Sequence, residues 1–291
     1  EIAKGFPKLG VRTVLFLRQI DEIVWTVEGG NTGRYRRTAC EPMPGSARRV
    51  TLIGQVRGKK KVVEHWLVFS QDLKVQQGQP AGSVEVAFEM EATKAKTYKV
   101  RRLPESPLVV YFPTIVSTNL GFLVQGPYRT TPSRDNVPRN NAWNQNLVNA
   151  TAELLVSALR QMRGLGLLDA HVLEALPLDH EKFEEDTLFG PLFDKILESL
   201  QVEELLPCYS RGHASAAGSL IARGHELRQL LQPAQLLDLF GDGATLKWLS
   251  KEITQDRTPE LHQYLRHDLK IREIEPWNVL GQLSQGFLEK Q

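Results

Sequence analysis

The sequence predicts an α+β protein in which a β-rich first part, built mostly on antiparallel sheet, is followed by a mainly helical part. Before about residue 125 the apolar segments are short, rich in β-branched and aromatic residues, and separated by turn-forming residues. After Asn140 the apolar residues recur at steps of three and four. Residues 1–139 carry a net positive charge and residues 140–291 a net negative one. We therefore expect two units, a β-rich transducer-like unit at 1–163 that ends in a long helix, and a mainly helical unit at 164–291.

Six segments of the first part have the composition of strands. They lie at 14–17, 23–27, 50–53, 62–69, 84–88 and 108–112. Turn residues at 28–31, 44–46 and 77–80 separate several of them. A meandering antiparallel sheet is the arrangement that such short, regularly interrupted segments predict.

A long amphipathic helix is predicted directly after the sheet. Trp143, Leu147 and Leu154 belong to its apolar face, Asn140 or Asn141 is placed to cap its start, and Gly164 to end it. Further helices are predicted at 169–176, 190–200, 214–231, 233–240, 244–253 and 259–269.

Composition argues against several classes of protein. No apolar run approaches the roughly 20 residues that span a bilayer, so no membrane partner is expected. Cys40 and Cys208 are the only cysteines, which favours a reducing cytoplasm over a disulfide framework. No metal site is expected, because the acidic residues beside His180 lack a second histidine at helical spacing. The phosphate-binding loop Gly-x-x-x-x-Gly-Lys-Ser/Thr does not occur, so the chain alone is not expected to bind or hydrolyse ATP.

The most informative stretch is the basic turn at 128–136, which joins a predicted strand to the long helix. Its candidate functional residues are Arg129, Thr131, Ser133, Arg134 and Asp135. Rigid prolines reduce the conformational freedom of a loop, and the planar guanidinium of arginine suits phosphate oxygens. The alternative is a stiff connection whose arginines pair with carboxylates.

A second basic feature lies between two predicted strands, where Arg57, Lys59, Lys60 and Lys61 surround Gly58. Such a cluster contacts nucleic-acid backbone in some proteins. It is more typical of a solvated turn that protects the edge of a sheet.

The strand, the hydroxyl-rich turn with Ser133-Arg134-Asp135 and the helix that follows resemble the middle-domain turn of the ninety-kilodalton heat-shock chaperones. There an Asn-x-Ser-Arg-Glu element carries an arginine that reaches the ATP site of the preceding domain. The chain is still more similar to sacsin-like members of the GHKL-type ATPases, over roughly residues 9–160 and more weakly at 248–250. Thr131 stands where the chaperones have Asn, and Asp135 replaces Glu.

The resemblance implies a middle, or transducer, module that couples the ATP state of a preceding domain to a client or partner protein. Arg134 would be the phosphate-sensing arginine, with Arg129, Thr131, Ser133 and Asp135 close to the ATP. Mg-ATP would be held by the preceding nucleotide-binding domain, whose motifs this chain lacks. Two alternatives stay open from the residues alone: a nucleic-acid-binding module that uses the basic first half, and a non-catalytic protein-interaction scaffold.

Overall fold

The computed structural model describes residues 10–27, 31–73, 82–95, 97–184, 186–241 and 245–283. It shows the predicted α+β arrangement, a large, mostly antiparallel sheet followed by a helical region. The sheet strands are β1 (Glu22–Val27), β2 (Asn31–Pro42), β3 (Ala47–Val56), β4 (Val62–Asp72), β5 (Ser83–Ala92), β6 (Tyr98–Arg101), β7 (Pro107–Val110), β8 (Phe112–Ser117) and β9 (Leu123–Gln125). Their order is β1-β2-β3-β4-β5-β9-β7-β8, and β6 pairs with β5 off this path.

The meander β1 to β5 is antiparallel throughout, as the short segments separated by turn residues predict. The chain then departs from sequential order, because β9 inserts between β5 and β7 and pairs parallel with β7. This crossover places the ends of β7 and β9 side by side, and the turn at 128–136 leaves the sheet from the end of β9.

The long helix α1 (Ala142–Gly164) covers one face of the sheet, packing on β4 and β5. Its predicted start is confirmed, since the Asn141 side chain accepts hydrogen bonds from the backbone N–H groups of Trp143 and Asn144. Leu147, Leu154 and their apolar neighbours are buried against Phe69 and Phe88. This apolar cluster continues beyond residue 163 into the later helices, and the predicted unit boundary at 163/164 stays a prediction.

The helical region begins with α2 (Ala170–Glu174) and α3 (Gly190–Val202), which match two predicted helices. It continues with α4 (His225–Leu230), α5 (Pro233–Phe240), α6 (Pro259–His267) and α7 (Pro276–Gln282). The prediction at 233–240 is confirmed at both ends, where Pro233 occupies the first turn and Gly241 follows the last residue.

Two helix predictions in this region are wrong. The strand β10 (Leu206–Pro207) pairs with β11 (His213–Ala214), whose last residue begins the predicted helix 214–231. That segment also contains the strand β12 (Ser219–Ala222), and only its last part forms α4. The described part of 244–253 contains β13 (Lys247–Trp248) in place of a helix, while Ala244 lies outside the described residues. β12 lies between β13 and β14 (Glu273–Ile274) and is parallel to both. β12 is short and fully buried, and periodicity does not separate such a segment from a buried helix.

Two strand predictions also need correction. The segment 14–17 is not a strand: a 3-10 turn, Val11–Val14, runs into bends whose side chains are buried against the sheet. The segment 108–112 is two strands, β7 and β8, separated at Tyr111 by a left-handed backbone with φ 62°. Of the predicted turns, residues 28–30 and 77–80 lie outside the described residues.

In the described part of the chain no helix combines the length and apolar character needed to cross a membrane. Cys40 and Cys208 are both unpaired thiols, and burial raises the pKa of Cys208 to about 11.

Candidate functional site

The basic turn closes on itself through backbone and side-chain hydrogen bonds. The Arg134 N–H donates to the Thr131 carbonyl at 2.9 Å, and the Thr131 N–H donates to the Asn136 carbonyl at 3.0 Å. The Thr131 hydroxyl donates to Asp135 Oδ1 at 2.6 Å. Arg134 adopts the left-handed conformation, with φ 59°, which is uncommon for a side chain other than glycine, asparagine or aspartate. The backbone therefore holds Arg134 in one unusual orientation.

Asn144, fully buried in the first turn of α1, fixes both ends of this loop. Its Oδ1 accepts a hydrogen bond from the Arg129 N–H at 2.8 Å. Its Nδ2 donates to the carbonyls of Arg129 and Pro138, each at 3.0 Å. Two further hydrogen bonds hold the start of the loop. Trp143 Nε1 donates to the Pro127 carbonyl, and the buried Tyr128 hydroxyl is hydrogen-bonded to the Thr151 hydroxyl. Burial raises the pKa of Tyr128 well above its ordinary value, so it stays neutral.

The Arg134 side chain is held by main-chain carbonyls and not by a carboxylate. Its Nη2 donates to the carbonyl of Val110 at 3.0 Å and to that of Phe112 at 2.9 Å. These two carbonyls flank Tyr111, the left-handed residue between β7 and β8. Arg134 forms no ion pair within the described residues. Because a guanidinium has five N–H groups, Nε and Nη1 remain for another acceptor.

The other predicted residues of the turn have different surroundings. Arg129 has an exposed side chain, although its backbone is held by Asn144. Ser133 is exposed and lies 3.5 Å from the Thr131 hydroxyl. Hydrogen bonds from Thr131 and Ser133 lower the pKa of the exposed Asp135 below its ordinary value. The carboxylate of Asp135 is thus engaged with hydroxyls of its own turn.

An exposed apolar strip lies beside Arg134, on the edge strand β8 and at Tyr111 just before it. Tyr111 is 55% exposed, Phe112 44% and Ile115 79%. Edge strands of monomeric proteins usually avoid large apolar side chains, because an open edge invites association. The strip and the Arg134 turn therefore present an apolar surface next to a fixed positive charge.

The predicted basic tip is the connection between β3 and β4. Arg57, Lys59, Lys60 and Lys61 are all exposed, and Gly58 takes the left-handed conformation that the turn requires. The Lys59 N–H donates to the Val56 carbonyl at 3.0 Å. The three lysines form no ion pair in the regions that the structure describes. The tip and the Arg134 turn are separate sites, since β5 and β9 lie between β4 and β7 in the sheet.

Among the described residues, no group of three or more His, Cys, Asp or Glu side chains is arranged to hold a metal ion. The His180 ring instead packs against Phe193 in a tilted arrangement, and its Nδ1 lies 3.7 Å from Asp268 Oδ1. Its predicted acidic neighbour Glu185 lies outside the described residues.

Comparisons with protein-family models, with curated proteins and with solved structures found no match to this chain.

Asn144 and Tyr111 are the residues of this site that sequence reasoning missed. Asn144 appears in the sequence as one more polar residue in the first turn of a helix. The sequence carries only a weak signal for the role of Asn144. Because Asn141 already caps the helix, a second asparagine three residues later is free to bond another part of the backbone. Tyr111 stands within an apolar run that is typical of continuous strand.

Proposed function

We propose that this chain is the middle, or transducer, module of an ATPase similar to the sacsin-like and ninety-kilodalton heat-shock proteins, and that it acts in the cytoplasm. In this proposal Arg134 approaches the terminal phosphate of ATP held by a preceding nucleotide-binding unit. The helical region then transmits the ATP state to a client or partner protein.

One observation carries the proposal. Arg134 is fixed by a left-handed backbone and two main-chain carbonyls, while its charge is not neutralised by any carboxylate in the described residues. A guanidinium held in this way has already lost conformational entropy before an anion arrives. Internal pairing of Arg134 with a carboxylate would have favoured the scaffold alternative.

The residues present fit a phosphate group. Nε and Nη1 of Arg134 provide N–H donors for phosphate oxygens, and the exposed Arg129 side chain adds a second positive charge on the same turn. ATP, when bound to the neighbouring unit, supplies the phosphoryl group that is transferred to water. The part of Arg134 is electrostatic, because a fixed positive charge stabilises the negative charge that develops during phosphoryl transfer.

Two exposed apolar surfaces support the partners in this proposal. The strip Tyr111, Phe112 and Ile115 borders Arg134 and suits the face that meets the nucleotide-binding unit. In the helical region Trp277 and Leu280 of α7 are 63% and 70% exposed, which suits a client or partner surface.

The test is ATP turnover by a polypeptide that joins this module to a nucleotide-binding unit of that group. Arg134→Lys keeps the charge but removes the planar fork, and we expect it to lower kcat by roughly a hundredfold or more. Arg36→Lys is the matched control, since Arg36 is exposed on β2 at the far side of the sheet. Equal turnover by the Arg134→Lys protein and the unsubstituted protein would remove the assigned role. The chain alone is expected to show no turnover.

A nucleic-acid-binding module is the second candidate, favoured by the exposure of Lys59, Lys60 and Lys61 on one hairpin. It predicts binding to duplex or single strands that weakens steeply with added salt. Fluorescence anisotropy at low salt, with the three lysines replaced by serine as the control, decides this. Absence of binding by the unsubstituted chain would eliminate the candidate.

A further inference from the structure

We propose that the chain has a second binding site, a pocket that takes a small amphipathic carboxylate with an aromatic body and an amide group. The pocket has a volume of about 330 Å³ and lies where the segment after the 3-10 turn meets the ends of β5 and β9. Arg134 does not line it, and the inference does not depend on the proposed ATPase role.

The walls of the pocket are mainly apolar. The apolar part of the lining consists of Phe16, Leu17, Ile20, Tyr111 and Pro127. Ligand pockets typically combine such walls with a few polar groups that fix orientation, and this volume is at the small end of their range. An aromatic ring is a body of suitable size and shape for these walls.

Gln125 is the most deeply buried amide among the polar residues that line the pocket. It is only 5% exposed, and its backbone is held between β5 and β7 through pairing with Glu85 and Val109. Its side-chain amide makes no hydrogen bond within the described residues. The amide atoms are not among the fully buried, unpaired polar atoms of the described residues, so they open onto the pocket, where the NH₂ can bind an acceptor and the oxygen a donor. A ligand amide offers both.

Arg18 supplies the charge at the mouth. Its Nη2 donates to Ser83 Oγ and lies 3.9 Å from Glu85 Oε1, while the side chain is 61% exposed. Glu85 is already paired with Arg48, whose Nη2 lies 3.0 Å from the same oxygen. Two guanidinium groups therefore face one carboxylate, and the more exposed of them, Arg18, is placed to donate hydrogen bonds to a ligand carboxylate.

Calorimetric titration of the chain with three matched probes tests this site. N-acetyl-phenylalaninate carries the ring, the amide and the carboxylate, N-acetyl-phenylalaninamide lacks the charge, and 3-phenylpropionate lacks the amide. We expect the first probe to bind, and each of the other two to bind at least roughly tenfold more weakly. Failure of N-acetyl-phenylalaninate to bind, or equal affinity for all three probes, would overturn the proposal.

Single substitutions test which residue binds the amide of the probe and which binds its carboxylate. Gln125→Leu should remove the advantage of the amide, and Arg18→Met the advantage of the carboxylate, whereas Arg36→Met should change neither. Gln125→Leu is an apolar replacement of similar size for an unpartnered amide, so the fold should be retained, which circular dichroism checks. Unchanged probe preferences in both folded variants would contradict the assignment. The probe series on the unsubstituted chain remains decisive if a variant fails to fold.

Discussion

The Arg134 turn and the basic tip at 57–61 are both positively charged loops of the same sheet, yet the structure holds their charges in opposite ways. Arg134 has a fixed backbone and two carbonyl acceptors, and its loop is fastened to α1 by Asn144. Lys60, at the end of a hairpin, is exposed and makes no ion pair within the described residues. Ordering a long side chain costs up to about 2 kcal/mol of conformational free energy. The Arg134 side chain is already ordered before a ligand binds, whereas that of Lys60 is not. Positive charge alone does not identify a binding site.

The largest expected effect comes from loosening the fixed loop. Asn144→Ala removes three hydrogen bonds to the backbone of Arg129 and Pro138 and should lower the free energy of unfolding by about 3 kcal/mol. Urea unfolding of the purified chain measures this. Asn140→Ala, at an exposed position just before the helix, is the control and should stay within about 0.5 kcal/mol. Equal losses in both variants would show that Asn144 does not fasten the turn.

A smaller loss should follow from removing the guanidinium while keeping the backbone. Asparagine tolerates the left-handed conformation, so Arg134→Asn chiefly deletes the hydrogen bonds to Val110 and Phe112. We expect a loss of about 1 kcal/mol, measured by the same unfolding experiment. Arg129→Asn, which replaces an exposed side chain of the same turn, should have less effect. If the two variants are equally stable, the carbonyl contacts do not hold the arginine.

The effect of pH on the stability of the turn should be smaller still. Thr131 and Ser133 lower the pKa of Asp135 in the folded chain, so the ionised carboxylate favours the folded turn. This contribution is present above the ordinary pKa of aspartate and is lost as pH falls through the lowered folded-state value. An NMR titration of the Asp135 carboxyl should therefore give a pKa below that of an unstructured aspartate. Thr131→Val should shift it upward, and a value that is already ordinary in the unsubstituted chain would be inconsistent with the hydrogen-bonded turn.

The smallest expected change is at the basic tip. Replacing Lys59, Lys60 and Lys61 together by serine should alter the free energy of unfolding by less than about 0.5 kcal/mol, because these exposed side chains form no ion pair within the described residues. Thermal unfolding monitored by circular dichroism checks this. A large destabilisation would show that the tip is structurally engaged and would remove the contrast with the Arg134 turn.

Local sequence patterns predicted the elements whose signals are local. The helix Ala142–Gly164 has both a long apolar face and a capping asparagine, and Pro233–Phe240 has a proline at its start and a glycine after its end. The strands β12 and β13 were mistaken for helix because their burial depends on parallel neighbours distant in sequence. The split at Tyr111 could not be predicted either, since a tyrosine in an apolar run has no preference for positive φ.

The candidate site was predictable only in part, because several of its contacts join residues that are distant in sequence. Prolines, hydroxyls and arginines concentrated in one short stretch indicated a stiff basic turn. The groups that hold Arg134 lie 22 and 24 residues away, and Asn144 contacts Arg129 across 15 residues. The contacts of Arg134 with Val110 and Phe112 depend on the position of β9 beside β7, which no local pattern encodes.

The most direct test of the account is whether the Arg134 guanidinium is held in place and available to an anion in the unsubstituted chain. Nitrogen-15 NMR of the arginine side chains, with tripolyphosphate as the added anion and Arg134→Lys to assign the signal, measures both properties. The account predicts restricted rotation of the Arg134 guanidinium before addition and a shift of its Nε resonance on addition, with little change at Arg36. A freely rotating Arg134 whose resonance does not respond to tripolyphosphate would contradict it.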